Sequence, residues 1–195
     1  EQVKSSESLF SIGNGAMGQR ANFEEHYSGE TFQGSYIGGV YYPDKTRVGW
    51  WKNGYPEYFA KVLNAPNWIG IDIEINGENL DLAKCKSVNN FRRELNMQTG
   101  IYTRSFITTL NNDTEIDVKV TRFLSMDLDE VGIINYVITP LNGDANIVFK
   151  PYIDAGITNE DTNWDDKFWE ILDLNNTNNQ AFVTARTFKT HFVAT

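Results

Sequence analysis

The sequence predicts an all-β protein, most simply a large antiparallel β-sandwich. Apolar residues recur with period two, Asn- and Gly-bearing turns separate the runs, and no window of 12 or more residues carries a helical stripe. The 195 residues suit one domain, 1–195, and aromatics at 13% place the chain well away from disorder.

The elements read as follows. "SLFSI" suits a strand leading into "SIGNGAMG", where Gly13, Gly15 and Gly18 are spaced G-x-G-x-x-G. That spacing opens dinucleotide-binding folds only when a helix follows and an acidic residue stands about 20 positions on. The following stretch is rich in Gly, Ser, Thr and aromatics without an apolar helical stripe, and Ser35 occupies the acidic position. A glycine-rich turn between strands is therefore expected, with no NAD, FAD or other cofactor.

"SYIGGVYY" reads as a strand, and "EYFAKVLN" is the best helical candidate, though short. In "WIGIDIEING", Ile69, Ile71, Ile73 and Ile75 share one face, and Asn76-Gly77 is a hairpin turn. "GIYTRSFITTL" joins "TEIDVKVTRFLSM" through Asn111, Asn112 and Asp113. In the second run Ile116, Val118, Val120 and Leu124 alternate with Glu115, Asp117, Lys119 and Phe123. "VGIINYVITPL" ends at Pro140, and Asn142-Gly143-Asp144 turns into "ANIVFKPYID", whose Pro151 suggests an edge or a bulge. "QAFVTARTFKTHFVAT" reads as one last strand without a closing turn, so the sandwich is expected to be truncated there and the sequence to be part of a longer protein.

Charge and composition exclude several classes. A net charge of −9 disfavours nucleic acid and anionic membrane surfaces as partners. No run of 18 apolar residues exists to span a bilayer. Cys85 is alone, which leans towards a reducing, cytoplasmic setting, and it reads as a small buried or half-buried apolar residue. "EQVKSSESLF" lacks the form of a signal peptide, although a cleaved one would leave no trace. The N-x-T sequons at Asn112 and Asn175 matter only in a secretory eukaryotic setting.

No catalytic or metal-ligating set emerges. His26 and His191 are the two histidines, read as surface or turn residues, and one Cys with two distant His falls short of a zinc site. "DAGITNEDTNWDD" holds Asp154, Asn159, Glu160, Asp161, Asp165 and Asp166 without calcium-loop spacing, so it reads as a solvated acidic loop, as does "MDLDE". The aromatic stretch 40–68 is the one candidate surface. Trp50-Trp51 would project to opposite faces of an extended segment, and Tyr55 follows among Gly49, Asn53, Gly54 and Pro56. Trp50, Trp51 and Tyr55 are candidates for an interface or the edge of a sugar site; the alternative is that they belong to the core and lid of an irregular loop.

"ESLFSIGNGAMGQRANFEE", "GSYIGGVYYPDKTRVGWWKNGYPEYFAKVLNAPNW" and "FRRELNM" together resemble the N-terminal domain of glycoside hydrolase family 65, the family of maltose, kojibiose and trehalose phosphorylases. The resemblance runs from Glu7 to at least Tyr152. It implies a super-sandwich of the galactose-mutarotase-like kind, followed in the parent by an (α/α)6 barrel. There a glutamic acid protonates the glycosidic oxygen while inorganic phosphate, a co-substrate, attacks the anomeric carbon with inversion. No barrel residue maps onto this sequence, so the resemblance implies an inert fragment without catalytic or metal-binding residues. Its expected partners are the rest of the parent chain, a second copy in a homodimer, and the parent's carbohydrate. A stand-alone carbohydrate-binding module and a purely structural sandwich are the other readings.

Overall fold

The computed structural model describes residues 2–46, 56–159 and 166–195. In chain order the elements are α1 (Gln2–Leu9), β1 (Ile12–Gly13), β2 (Met17–Gln19), β3 (Ser35–Ile37), β4 (Tyr41–Lys45), β5 (Tyr58–Val62), β6 (Ile71–Ile75) and β7 (Glu78–Asn79). They continue with β8 (Ser87–Asn96), β9 (Ile101–Thr109), β10 (Glu115–Leu124), β11 (Gly132–Pro140), β12 (Ile147–Pro151), β13 (Trp169–Asn176), β14 (Ala181–Thr187) and β15 (Val193–Ala194). Strands make up 49% and helix 4% of the chain, as the period-two pattern predicts.

Every pairing between these strands is antiparallel. The sandwich proper sets the sheet β11-β10-β9-β8 against β12-β6-β7. Phe106, Ile116, Val118 and Val120 of the first sheet, with Leu110 just past β9, meet Ile73 and Ile75 of the second, with Leu80 just past β7. The β6–β7 turn is the expected one: Asn76 (φ 51°) and Gly77 (φ 83°) both take left-handed backbone, as a type I′ hairpin requires. Pro151 closes β12 on a sheet edge, where a missing N–H costs no ladder bond. Two further cores flank the sandwich: one joins Val40, Leu63, Phe168, Trp169, Val183 and Ala185, the other Ile12, Ala21, Tyr102 and Leu124.

Four local expectations are corrected. "SLFSI" is not a strand; α1 occupies Ser8 and Leu9, and the strand there is only Ile12–Gly13. Tertiary contacts override weak propensity at α1, because buried Glu7 accepts hydrogen bonds from Thr31 Oγ1 and Phe32 N, while Ala21 N donates to Glu7 O. "EYFAKVLN" is not helical, because residues 58–62 pair with β4 as β5. "SYIGGVYY" divides into β3 and β4 at Gly38-Gly39, where Gly39 has φ 79°. The last run divides into β14 and β15 around a turn ending at His191 (φ 52°).

Candidate functional site

The glycine-rich stretch forms the β1–β2 hairpin. Gly13 pairs with Gly18, and Gly15 turns the chain with φ 94°. Asn14 Oδ1 accepts from Ala16 N (3.1 Å) and Met17 N (2.7 Å). Asn14 Nδ2 donates to Ser125 O (2.7 Å) and Asp129 O (2.9 Å), fixing the β10–β11 loop. A Cβ at Gly38 would stand 2.9 Å from Gly15 O. These glycines serve close approach of three chain segments, and a strand follows them where a phosphate-binding fold needs a helix N-terminus.

Gly15, Gly18, Gly38 and Gly39 floor an apolar groove of about 450 Å³ with Tyr36 and Val40. The groove runs onto the β4–β5 ribbon. The register places Tyr41–Val62, Pro43–Ala60 and Lys45–Tyr58 on one face and Tyr42–Lys61 and Asp44–Phe59 on the other. The second face is anchored: Lys61 Nζ lies 2.6 Å from Asp44, and Tyr42 packs edge-on against Phe168. The first is open, with Tyr41 50%, Tyr58 51% and Val62 61% exposed. Trp50, Trp51 and Tyr55 lie in the connection between β4 and β5, outside the described residues.

Across Tyr36 lies a second, more polar cleft of about 410 Å³, lined by Arg20, Phe32, Gln33, Tyr36, Asn64 and Asn159 and bordered by Val62 of the ribbon. Asn159 departs from the solvated-loop expectation. It is buried, accepts from Asn64 N and donates to Val62 O, and so holds its loop against β5. Glu160, Asp161 and Asp165 fall outside the described residues, while "MDLDE" is exposed as expected.

The sequence reading missed a buried ionic cluster. Arg104 on β9 and Arg122 on β10 occupy the core-facing register and are wholly buried. Arg104 donates to both oxygens of Glu25 and to Glu24 Oε2 (2.7 Å); Arg122 donates to Glu24 Oε1 (2.7 Å), Arg20 O (3.0 Å) and Asn22 O (3.3 Å). Burial works against the Arg104 charge, but Glu25 and Glu24 outweigh it and hold its pKa well above the ordinary value. Burial, then the Glu25 charge, pushes the Tyr136 hydroxyl well up, so it stays protonated and donates to Glu25 Oε2 (3.1 Å).

The remaining buried carboxylates among the described residues are also occupied. Glu7 faces Arg20, Asp44 faces Lys61, and Asp81 faces Lys84 and accepts from Ser28 N and Ala83 N. Among the described residues the acids with displaced titration, Glu30, Glu78 and Asp81, are all moved down, away from the raised range a general acid needs. Cys85 is half-buried, donates to Asp81 O, and has its thiol pKa raised by burial. His26 and His191 are exposed. Among the described residues no group of three or more His, Cys, Asp or Glu is placed to hold a metal ion, and no helix is long and apolar enough to cross a membrane.

The sequence profile of the N-terminal domain of glycosyl hydrolase family 65 matches residues 1–195. The chain belongs to this family. It is 48% identical over 170 residues to maltose phosphorylase of Bacillus subtilis (strain 168), covering 87% of this chain and 22% of that protein. It is 31% identical over 153 residues to kojibiose phosphorylase of Thermoanaerobacter brockii, covering 78% and 18%. A solved structure described as a candidate kojibiose phosphorylase from the human microbiome superposes with a TM-score of 0.81 at 29% identity, over 95% of this chain and 24% of that one. The chain thus spans about a fifth of the length of these relatives.

Proposed function

We propose that this chain is the non-catalytic N-terminal domain of a disaccharide phosphorylase of the maltose type, which cleaves an α-glucoside with inorganic phosphate and inversion. It supports the catalytic (α/α)6 barrel and contributes to a homodimer contact in the cytoplasm. The observation that carries the reading is the one-sided β4–β5 ribbon. One face is locked to the domain by Asp44–Lys61 and Tyr42–Phe168, and the other leaves Tyr41, Val62 and Tyr58 open beside a glycine-floored groove. Contiguous exposed apolar surface of this kind marks an interface. The ion-paired state of the buried carboxylates is in keeping with chemistry located elsewhere in the parent.

The test is glucose 1-phosphate release from maltose and phosphate. The chain alone is expected to stay at background, while the parent carrying Tyr41→Asp and Val62→Asp loses activity or subunit association, with this domain's own unfolding unchanged. Turnover by the chain alone, abolished by substituting one of its acids, would refute the domain assignment. Unchanged activity and association in the doubly substituted parent would refute the role of the ribbon.

A further inference from the structure

The polar cleft beside Tyr36 has a composition that the supporting role does not use. Three of its polar atoms carry no hydrogen bond among the described residues: Arg20 Nη1, Gln33 Oε1 and Asn64 Oδ1. The other side-chain nitrogens of the same residues are engaged. Arg20 Nε donates to Phe32 O and Nη2 to Lys4 O, Gln33 Nε2 to Ser35 Oγ, and Asn64 Nδ2 to Gln33 O and Thr158 O. One open donor and two open acceptors therefore belong to residues that line a space of about 410 Å³, within the roughly 300–1,000 Å³ of small-ligand sites.

The charge balance narrows the ligand further. Among the described residues no carboxylate lines the cleft, which disfavours a cation. Glu7 stands 3.9 Å from Arg20 and offsets its charge, and two of the three open atoms are acceptors, so an anion is also a poor match. A hydroxyl both donates and accepts. Phe32, 40% exposed although Lys4 Nζ stands over its ring 4.4 Å from the centroid, and Tyr36 contribute aromatic surface to the lining. We propose that this cleft is a sugar-binding subsite for a neutral hexose unit, held by Arg20, Gln33 and Asn64 against Phe32 and Tyr36. The choice of a hexose over other neutral polyols rests on the family reading above; the neutral, hydroxyl-rich class rests on the cleft itself.

Two-dimensional amide NMR of this chain, titrated with maltose and separately with inorganic phosphate, tests the subsite. Maltose is expected to saturate with an affinity of roughly millimolar order and to shift the amides of Gly34, Tyr36 and Asn64 and the side-chain amide of Gln33. Gln33→Ala and Phe32→Ala should each weaken binding about tenfold, and Met97→Ala, on a distant turn, should not. Circular dichroism checks that the variants are folded, and the isosteric Gln33→Glu carries the test if Gln33→Ala is not. No saturable shift, shifts confined to other surfaces, saturation by phosphate in place of maltose, or undiminished binding in the cleft variants would each overturn the subsite. None of those results bears on the phosphorylase assignment, which stands or falls on the parent's activity and association.

Discussion

Replacing Arg104 with Met isolates the buried ionic cluster. Arg104 supplies both guanidinium bonds to Glu25 and one of the two to Glu24. Without it Glu25 keeps, among the described residues, only Tyr136 OH at 3.1 Å, and Glu24 keeps Arg122 as its ion-pair partner. Met preserves most of the volume between the Phe23 and Phe106 rings, which lie 4.5 and 5.3 Å from the guanidinium carbon, so the loss is chiefly electrostatic. Removing one partner of a buried pair costs about 3–5 kcal/mol, a large share of the roughly 5–15 kcal/mol that stabilises a domain. At ~2–4 °C per kcal/mol for a chain of this size, Tm falls by roughly 6–20 °C. The double variant Arg104→Met/Glu25→Leu removes both charges and should recover most of the loss. Differential scanning calorimetry decides it. A drop below about 2 °C in the single variant, or a double variant no more stable than the single, would show that unpaired buried charge is not what the arginine prevents.

Two smaller perturbations follow from the same geometry. Burial raises the Asp81 pKa, but bonds from Ser28, Lys84 and Ala83 outweigh it and hold the carboxyl below its ordinary value. Its stabilisation is therefore full above the unfolded value of about 3.9 and is lost as pH falls through the folded one; Asp81→Asn should flatten the urea midpoint between pH 5 and pH 3. Asn14→Ala strips donors from Ser125 O and Asp129 O and should cost about 1–3 kcal/mol, read by urea denaturation, with faster proteolysis confined to residues 125–131.

The sandwich was legible because period-two patterning and turn chemistry agree. Ile73 and Ile75 face the core as their alternation requires, and Asn76-Gly77 fixes the register of the hairpin that follows. The helix α1 was not legible, since "QVKSSESL" is weak in helix propensity and is held by contacts that Glu7 makes with residues some 25 positions away. The ionic cluster left a trace that went unread. Tyr102, Arg104, Phe106 and Thr108 alternate on β9 and Ile116, Val118, Val120, Arg122 and Leu124 on β10, so each core-facing register contains one arginine. Such positions demand buried acids. Which of the 26 acidic residues answer was not readable, because Glu24 and Glu25 arrive through an isolated parallel bridge between Glu25 and Ile71. The polar cleft was less legible still: its residues come from four separate stretches that only the closed fold unites.

The cleft and the ionic cluster meet at Arg20. Its carbonyl accepts from Arg122 Nη2, its amide donates to Gly34 O, and its side chain crosses Gly34 to reach Phe32 O and Lys4 O. A Cβ at Gly34 would stand 2.1 Å from Arg20 Cδ, so glycine is what admits the crossing. Gly34 N in turn donates to Asn22 Oδ1, and Asn22 O accepts from Arg122 Nη1. The backbone at both ends of this crossing is thus tied to a wholly buried guanidinium, which leaves Arg20 Nη1 aimed by the fold and not by its own rotamer freedom. A donor fixed in this way gives up little entropy on binding, and that favours even a weak, neutral ligand. Arg122→Met should accordingly weaken maltose at the cleft about as much as a substitution in the lining, although the Arg122 side chain does not itself line the cleft and reaches it only through the Arg20 carbonyl; unchanged affinity in the folded variant would mean that Arg20 is positioned by its own side-chain contacts alone.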